Sequence, residues 1–230
     1  MGRGGVVAAA GFRAATVIAS WHTRYPGLLT GSVYAAPPSG RAAFAGALAD
    51  AGMAVHVDIM DPGAGLPAGV SLAEFEGISN SLGPSRCDVH LIGSTEFADE
   101  MLPALLAMRP RRVFLPWAAF TEQRAAAIRD AGSAAWIAVW EEWSGWGDGL
   151  PPPWPASPDG ALVMLIEPGT KDRCRPERLD VAAACAVWLP VIVDGGVTEE
   201  IAPLCVTAGV EAMVVGRALL AETPGIEKGI

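Results

Sequence analysis

From residue 28 onward, short runs of consecutive apolar, mostly β-branched residues alternate with longer segments whose apolar positions recur every three or four residues. The first kind reads as buried strand and the second as helix. Strand-like runs fall at 28–35, 54–59, 88–92, 112–116, 134–139, 161–166, 191–194 and 212–215. Helix-like segments lie near 39–51, 71–82, 95–108, 119–131, 175–188, 198–208 and 217–223. Strands that are apolar on both faces belong in a parallel sheet covered on both sides. Several boundaries carry their own signal. Ser71 stands three positions before Glu74, the spacing of a capping box, whereas Thr121 has Arg124 in the corresponding place and lacks the acidic half. Gly52, Gly132 and Gly209 each close a helical segment just before a strand, where a left-handed C-terminal cap is expected.

Eight strands alternating with helices predict an α/β fold, a (β/α)8 TIM barrel with parallel strands inside and helices outside, as a single domain over 27–230. An open doubly wound sheet normally has fewer strands. No G-x-G-x-x-G follows the first strand, so the usual dinucleotide signature is missing. Two stretches break the rhythm. Residues 1–26 are rich in glycine and alanine, end in Trp21, His22 and Tyr25, and read as an N-terminal extension of uncertain structure. Residues 140–160 hold Trp140, Trp143, Trp146 and Trp154 among Pro151, Pro152, Pro153, Pro155 and Pro158. Proline at that density excludes a helix interior, so the fifth crossover is expected to be an irregular loop.

Composition adds limits. The 230 residues are 51% hydrophobic and 18% charged, enough for a sizeable core and unlike a disordered chain. No uncharged apolar run of about 18 residues occurs, so no spanning helix is expected. Arg3 and Arg13 interrupt the apolar N-terminus, which argues against a signal peptide. The net charge of -9, without a basic cluster interleaved with aromatics, argues against nucleic acid and membrane surfaces as partners. A small anionic substrate is still compatible, because a few local donors can hold one phosphate. Cys87, Cys174, Cys185 and Cys205 show no metal spacing and read as buried small hydrophobes in a reducing, cytoplasmic setting. The apolar content and eight tryptophans leave a homo-oligomer open.

The candidate chemistry lies in the strands. In Val55-His56-Val57-Asp58-Ile59-Met60-Asp61, the strand period of two puts His56, Asp58 and Met60 on one face. In Asp88-Val89-His90-Leu91, His90 shares a face with Asp88, and Asp194 ends a fully apolar strand before Gly195-Gly196. Polar residues at the C-terminal ends of barrel strands are where catalytic groups are found. Two imidazoles and two carboxylates from three strands suit one divalent metal. Taken singly, each histidine also fits a satisfied core residue, and Asp194 also fits a helix cap. Jointly, ligand-type residues at the ends of strands two, three and seven point to a site.

These residues resemble the ribulose-phosphate 3-epimerase family over roughly 28–223. The resemblance rests on His56-Val-Asp58-Ile-Met60-Asp61, Asp88-Val-His90-Leu91, Met164 with Glu167-Pro168-Gly169, Val193-Asp194-Gly195-Gly196-Val197 and Val215-Gly216-Arg217-Ala218, with Ser32 on the first strand. It implies an isomerase that inverts a carbon next to a ketone of ribulose 5-phosphate or a related phosphosugar. His56, Asp58, His90 and Asp194 would hold one divalent ion of zinc, iron, manganese or cobalt, with Asp58 and Asp194 as the acid/base pair. Ser32, Met60, Met164, Gly169, Gly195, Gly196, Gly216 and Arg217 would contact substrate. On the residues alone, Met60 and Met164 equally suit core packing.

The chain departs from the family in the loops. After Pro168-Gly169 the family's aromatic-Gly-Gly-Gln is Thr170-Lys171-Asp172-Arg173, and the strand-eight Gly-Ser is Gly216-Arg217. Lys171, Arg173 and Arg217 read either as replacement phosphate donors or as solvated and space-filling side chains. After Asp61 the family's Gly-His-Phe-Val-Pro-Asn gives way to Pro62-Gly63-Ala64-Gly65-Leu66-Pro67-Ala68. Three alternatives stay open: a different sugar substrate in specialised metabolism, a decarboxylase or aldolase of the same superfamily, and a non-catalytic ligand-binding barrel. The second lacks its expected strand-two lysine, since Asp58-Ile59-Met60-Asp61 contains none.

Overall fold

The computed structural model describes residues 18–145 and 150–220. Eight strands form a closed parallel barrel: β1 (Leu29–Ser32), β2 (Ala54–Met60), β3 (Cys87–Ile92), β4 (Arg112–Pro116), β5 (Ala134–Val139), β6 (Gly160–Met164), β7 (Val191–Asp194) and β8 (Ala212–Val215). Strand β8 pairs back onto β1 through Leu29, Thr30 and Gly31. Outside it run α1 (Arg41–Asp50), α2 (Leu72–Leu82), α3 (Thr95–Met108), α4 (Glu122–Asp130), α5 (Leu179–Ala186) and α6 (Ala202–Thr207). This is a (β/α)8 barrel, and all eight strand-like runs of the sequence lie in it. Among the described residues no helix is long and apolar enough to cross a membrane.

The strand period of two produces two separate cores. One alternate set, with Val55, Val57, Val89 and Val163, packs outward against the helices. The other, with Phe114, Trp136, Leu162 and Ile192, fills the barrel. The glycine caps behave as expected: Gly52, Gly132 and Gly209 have φ of +79°, +87° and +77°. Ser71 Oγ accepts from Glu74 N at 3.2 Å while Glu74 Oε2 accepts from Ser71 N at 2.9 Å, completing the capping box. Thr121 caps α4 through Arg124 N at 3.3 Å without any acidic partner.

Several expected helices are shorter. The segment from 217 forms only a 3-10 turn, Arg217–Leu219, because Leu220 bridges antiparallel to Ile18 and so takes an extended backbone; residues 221–223 lie outside the described residues. The first strand ends at Ser32, since Val33–Ala35 turns into a 3-10 segment. Residues 1–17 and Trp146 also lie outside the described residues. Residues 18–26 pack on the barrel: Trp21, in the 3-10 segment Ser20–Arg24, is buried and donates to Ala218 O at 2.9 Å. Among the described residues 140–159 contain no helix. Trp154 fills that space, 5.5 Å from Trp117 and 6.4 Å from Trp143 between ring centroids.

The end of the barrel opposite the strand C-termini is closed by Trp136. Arg112 lies 4.6 Å over its ring and pairs with Glu211. The ring fits because its β6 neighbour is Gly160; a Cβ there would stand 2.5 Å from Trp136. Gly160→Ala is therefore expected to destabilise the protein by about 1–3 kcal/mol through overpacking, read as a lower urea midpoint at unchanged slope.

Candidate functional site

Strand register assembles the site. Asp58 on β2 stands opposite His90 on β3, and Met164 on β6 opposite Asp194 on β7. His56, Asp58 and Met60 point inward, as the period of two requires. His56 Nε2 lies 3.2 Å from Asp58 Oδ1 and 3.8 Å from Asp194 Oδ2. His90 Nδ1 lies 3.4 Å and 4.0 Å from the same two oxygens. One donor atom from each of the four residues falls within 4.8 Å of all the others. Both imidazoles are buried, while the Asp194 side chain keeps 15% of its surface exposed and so forms the solvent-facing side. Ser32 Oγ donates to Asp58 Oδ2 at 3.0 Å.

Burial and charge act against each other here. Burial alone would depress His56, but the negative charge of Asp58, their hydrogen bond and the charge of Asp194 lift it to about 9. Burial would raise Asp58; the positive charge of His56 and its hydrogen bond outweigh that and hold it well below the carboxylate range. For Asp194 burial prevails over the attraction of His56, and with repulsion from Asp58 it is raised to about 7. Burial also lowers His90. Two neighbouring carboxylates thus differ in proton affinity because only one is tightly paired.

The four residues also suit a divalent cation. Ligands of one ion at about 2.0–2.2 Å stand roughly 3–4 Å from each other; the four histidine–aspartate separations here run from 3.2 to 4.0 Å, and all four donors lie within 4.8 Å. Among the described residues His90 Nδ1 is buried without a hydrogen-bond partner, although it faces both carboxylates. Such an orphaned imidazole nitrogen is costly unless something coordinates it. His56, Asp58, His90 and Asp194 could therefore hold one ion. Asp88, which shares a strand face with His90, is turned away: its carboxylate binds Arg111 at 2.8 and 2.5 Å.

A cavity of about 880 Å³ opens above Asp58 and Asp194. Ser32, Met60, Met164, Gly169, Gly195, Gly196, Gly216 and Arg217 all line it, together with Lys171 and Arg173. His56 and His90 stand behind the two carboxylates, outside that lining. Gly196, at φ +65°, allows Cys174 N within 2.9 Å of where a Cβ would be, so the glycine pair brings the loop after β6 against β7. Leu66, from the loop after β2, reaches to 2.9 Å of the Cβ position of Gly169, and the two loops meet beside the cavity. Lys171 Nζ sits 5.3 Å from the ring of Tyr34, and Arg217 donates to Lys171 O at 3.4 Å.

Sequence reasoning missed two buried arginines. Arg41 donates to Gly69 O at 2.9 Å and pairs with Glu74 at 3.2 Å, fixing the loop whose Val70 N donates to Asp58 O at 2.8 Å. Arg178 donates to Met164 O at 2.5 Å, to Val139 O at 3.3 Å and to Trp140 O. It thus ties together the ends of β5 and β6 where no crossover helix does so. Both looked like ordinary helix-surface arginines; nothing local marked them.

No family model and no curated protein matches the chain. Solved structures do. Phosphoribosyl anthranilate isomerase from Thermus thermophilus superposes with a TM-score of 0.58 at 16% identity, covering 87% of this chain and 92% of that one. Orotidine 5'-phosphate decarboxylase from Pyrococcus horikoshii OT3 gives 0.53 at 13% identity, covering 83% and 90%. A chain of the tryptophan synthase complex from Pyrococcus furiosus gives 0.55 at 14%, covering 85% and 88%. These neighbours are barrel enzymes, and at such identity the likeness establishes the shared fold.

Arg178→Met should leave three carbonyl oxygens without their donor. The expected cost is about 2–3 kcal/mol, with faster amide hydrogen exchange confined to 139–141 and 164–166.

Proposed function

We propose that this protein is a metal-dependent epimerase of a ketose phosphate, ribulose 5-phosphate or a related phosphosugar. It would take a proton from the carbon beside the ketone on one face and return one on the other. The observation that carries this reading is the meeting of Asp58 and Asp194, from β2 and β7, with His56 and His90 in one four-donor cluster that faces the main cavity. Two carboxylates from separate strands can divide into an acceptor and a donor.

Asp58, kept ionised by His56 and steadied by Ser32, is ready to accept the substrate's proton. Asp194, from β7 across the cluster, is placed to return a proton to the opposite face. In the reverse direction the two exchange roles. His56, Asp58, His90 and Asp194 would hold the ion, which when bound would supply Lewis-acid stabilisation of the charge that develops as the proton leaves. Met60 and Met164 line the cavity beside the carboxylates and keep water away from the carbanionic carbon. Lys171, Arg173 and Arg217 border the same cavity, and their charge supports a phosphate at that side. The barrel neighbours, enzymes by name, are consistent with a catalytic role.

In D2O, protein loaded with Mn2+ or Zn2+ should exchange the C3 proton of ribulose 5-phosphate and form xylulose 5-phosphate, followed by NMR. Asp58→Asn and Asp194→Asn should each slow xylulose 5-phosphate formation by about 10²–10⁴-fold with unchanged circular dichroism. Xylulose 5-phosphate formation that persists in either variant, or is absent from the loaded wild type, would sink the reading. Arg217→Ala should raise KM by roughly tenfold, the loss of one charge-assisted hydrogen bond, with kcat little changed.

A further inference from the structure

A second cavity, of about 200 Å³, adjoins the first. Ile92 and Met164 belong to the walls of both, and His90 borders the second. The four-donor cluster therefore stands between the two spaces. Their chemistry differs. Lys171, Arg173 and Arg217 border the main cavity, whereas the second is walled mainly by Pro116, Trp117, Ala138 and Trp140. Among the described residues its one acidic neighbour, Glu142, is already engaged, accepting from Trp140 N at 2.7 Å.

The apolar wall is held in shape. The ring of Trp140 lies 4.7 Å from the guanidinium of Arg175 and 4.5 Å from that of Arg178. Trp117 is packed on Trp154 at 5.5 Å. Ala138, Trp140 and Glu142 of this wall come from β5 and the Trp/Pro segment after it, where the chain abandons the strand–helix rhythm. An apolar cleft of this size that shares Ile92 and Met164 with the main cavity has the character of a ligand subsite. Apolar cavities of about 150 Å³ already admit benzene.

The geometry points to a substrate longer than a bare pentulose phosphate, carrying an uncharged, flat apolar substituent at the end opposite its anion. Its phosphate lies toward Lys171, Arg173 and Arg217, its ketone carbons over the cluster, and its apolar group against Trp117 and Trp140. This inference rests on the ketose-phosphate reading for the main cavity, while the apolar subsite itself is separately testable.

Two measurements on the metal-loaded protein decide it. By calorimetry, 1-O-benzyl-D-ribulose 5-phosphate should bind at least tenfold tighter than ribulose 5-phosphate. Ala138→Phe, which fills the second cavity, should erase that preference and leave the affinity for ribulose 5-phosphate within twofold. Equal affinities in the wild type, or a preference surviving in folded Ala138→Phe, would overturn the inference. Crystals soaked in 4-bromobenzyl alcohol should show an anomalous bromine peak between Trp117 and Trp140, a readout that needs no variant to fold. Bromine elsewhere or nowhere overturns the subsite. If bromine occupies it and neither ketose phosphate binds, the subsite stands and the ketose-phosphate reading fails.

Discussion

Two carboxylates and two imidazoles packed within 4.8 Å of one another at the mouth of a barrel impose a demand that the surrounding structure answers. Like charges cannot share so small a space without compensation, and burial removes the water that would screen them. The protein meets the demand unequally. The Asp58 carboxylate receives His56 and Ser32. Asp194 is left more open and less paired. That inequality separates their proton affinities, and it follows from position: β2 brings Asp58 with its own histidine, whereas β7 delivers Asp194 alone at the strand end.

The same strands keep a second electrostatic centre out of the way. Asp88 lies on the face of β3 that carries His90, yet it turns toward Arg111 and Arg112 near the opposite end of the barrel. Trp136, Phe114 and Leu162 occupy the interior between. The barrel thus has a sealed, ion-paired floor and an open, carboxylate-bearing mouth, and polarity is concentrated where loops can reach it.

Loops account for what is particular to this chain. The glycine pair after β7 draws the loop after β6 inward, which sets Lys171 and Arg173 beside the cavity. After β5, tryptophans and prolines replace a helix, and Arg178 binds the freed carbonyl oxygens. A regular crossover helix would have packed that side uniformly. Stacked tryptophans with a buried guanidinium instead leave a shaped apolar space next to Met164 and His90.

The strands and the residues of the cluster were legible in the sequence because both are local in origin. Runs of β-branched residues set the strands, the period of two put His56 with Asp58, and glycine at three helix ends marked caps whose φ values require it. The Trp/Pro composition was enough to remove a helix from the fifth crossover. The helix expected from 217 was not so readable: propensity favoured it, but the pairing of Leu220 with Ile18 joins chain ends 202 positions apart in numbering. Arg41 and Arg178 were invisible for the same reason, since a buried arginine differs from a surface one only by what distant segments place over it. The sequence by itself determined the repeating units and which carboxylates and imidazoles the strand ends carry. Tertiary structure alone decided how far apart the donors stand, which carboxylate is paired, and where an apolar cavity opens, because those depend on register and packing between strands remote in sequence.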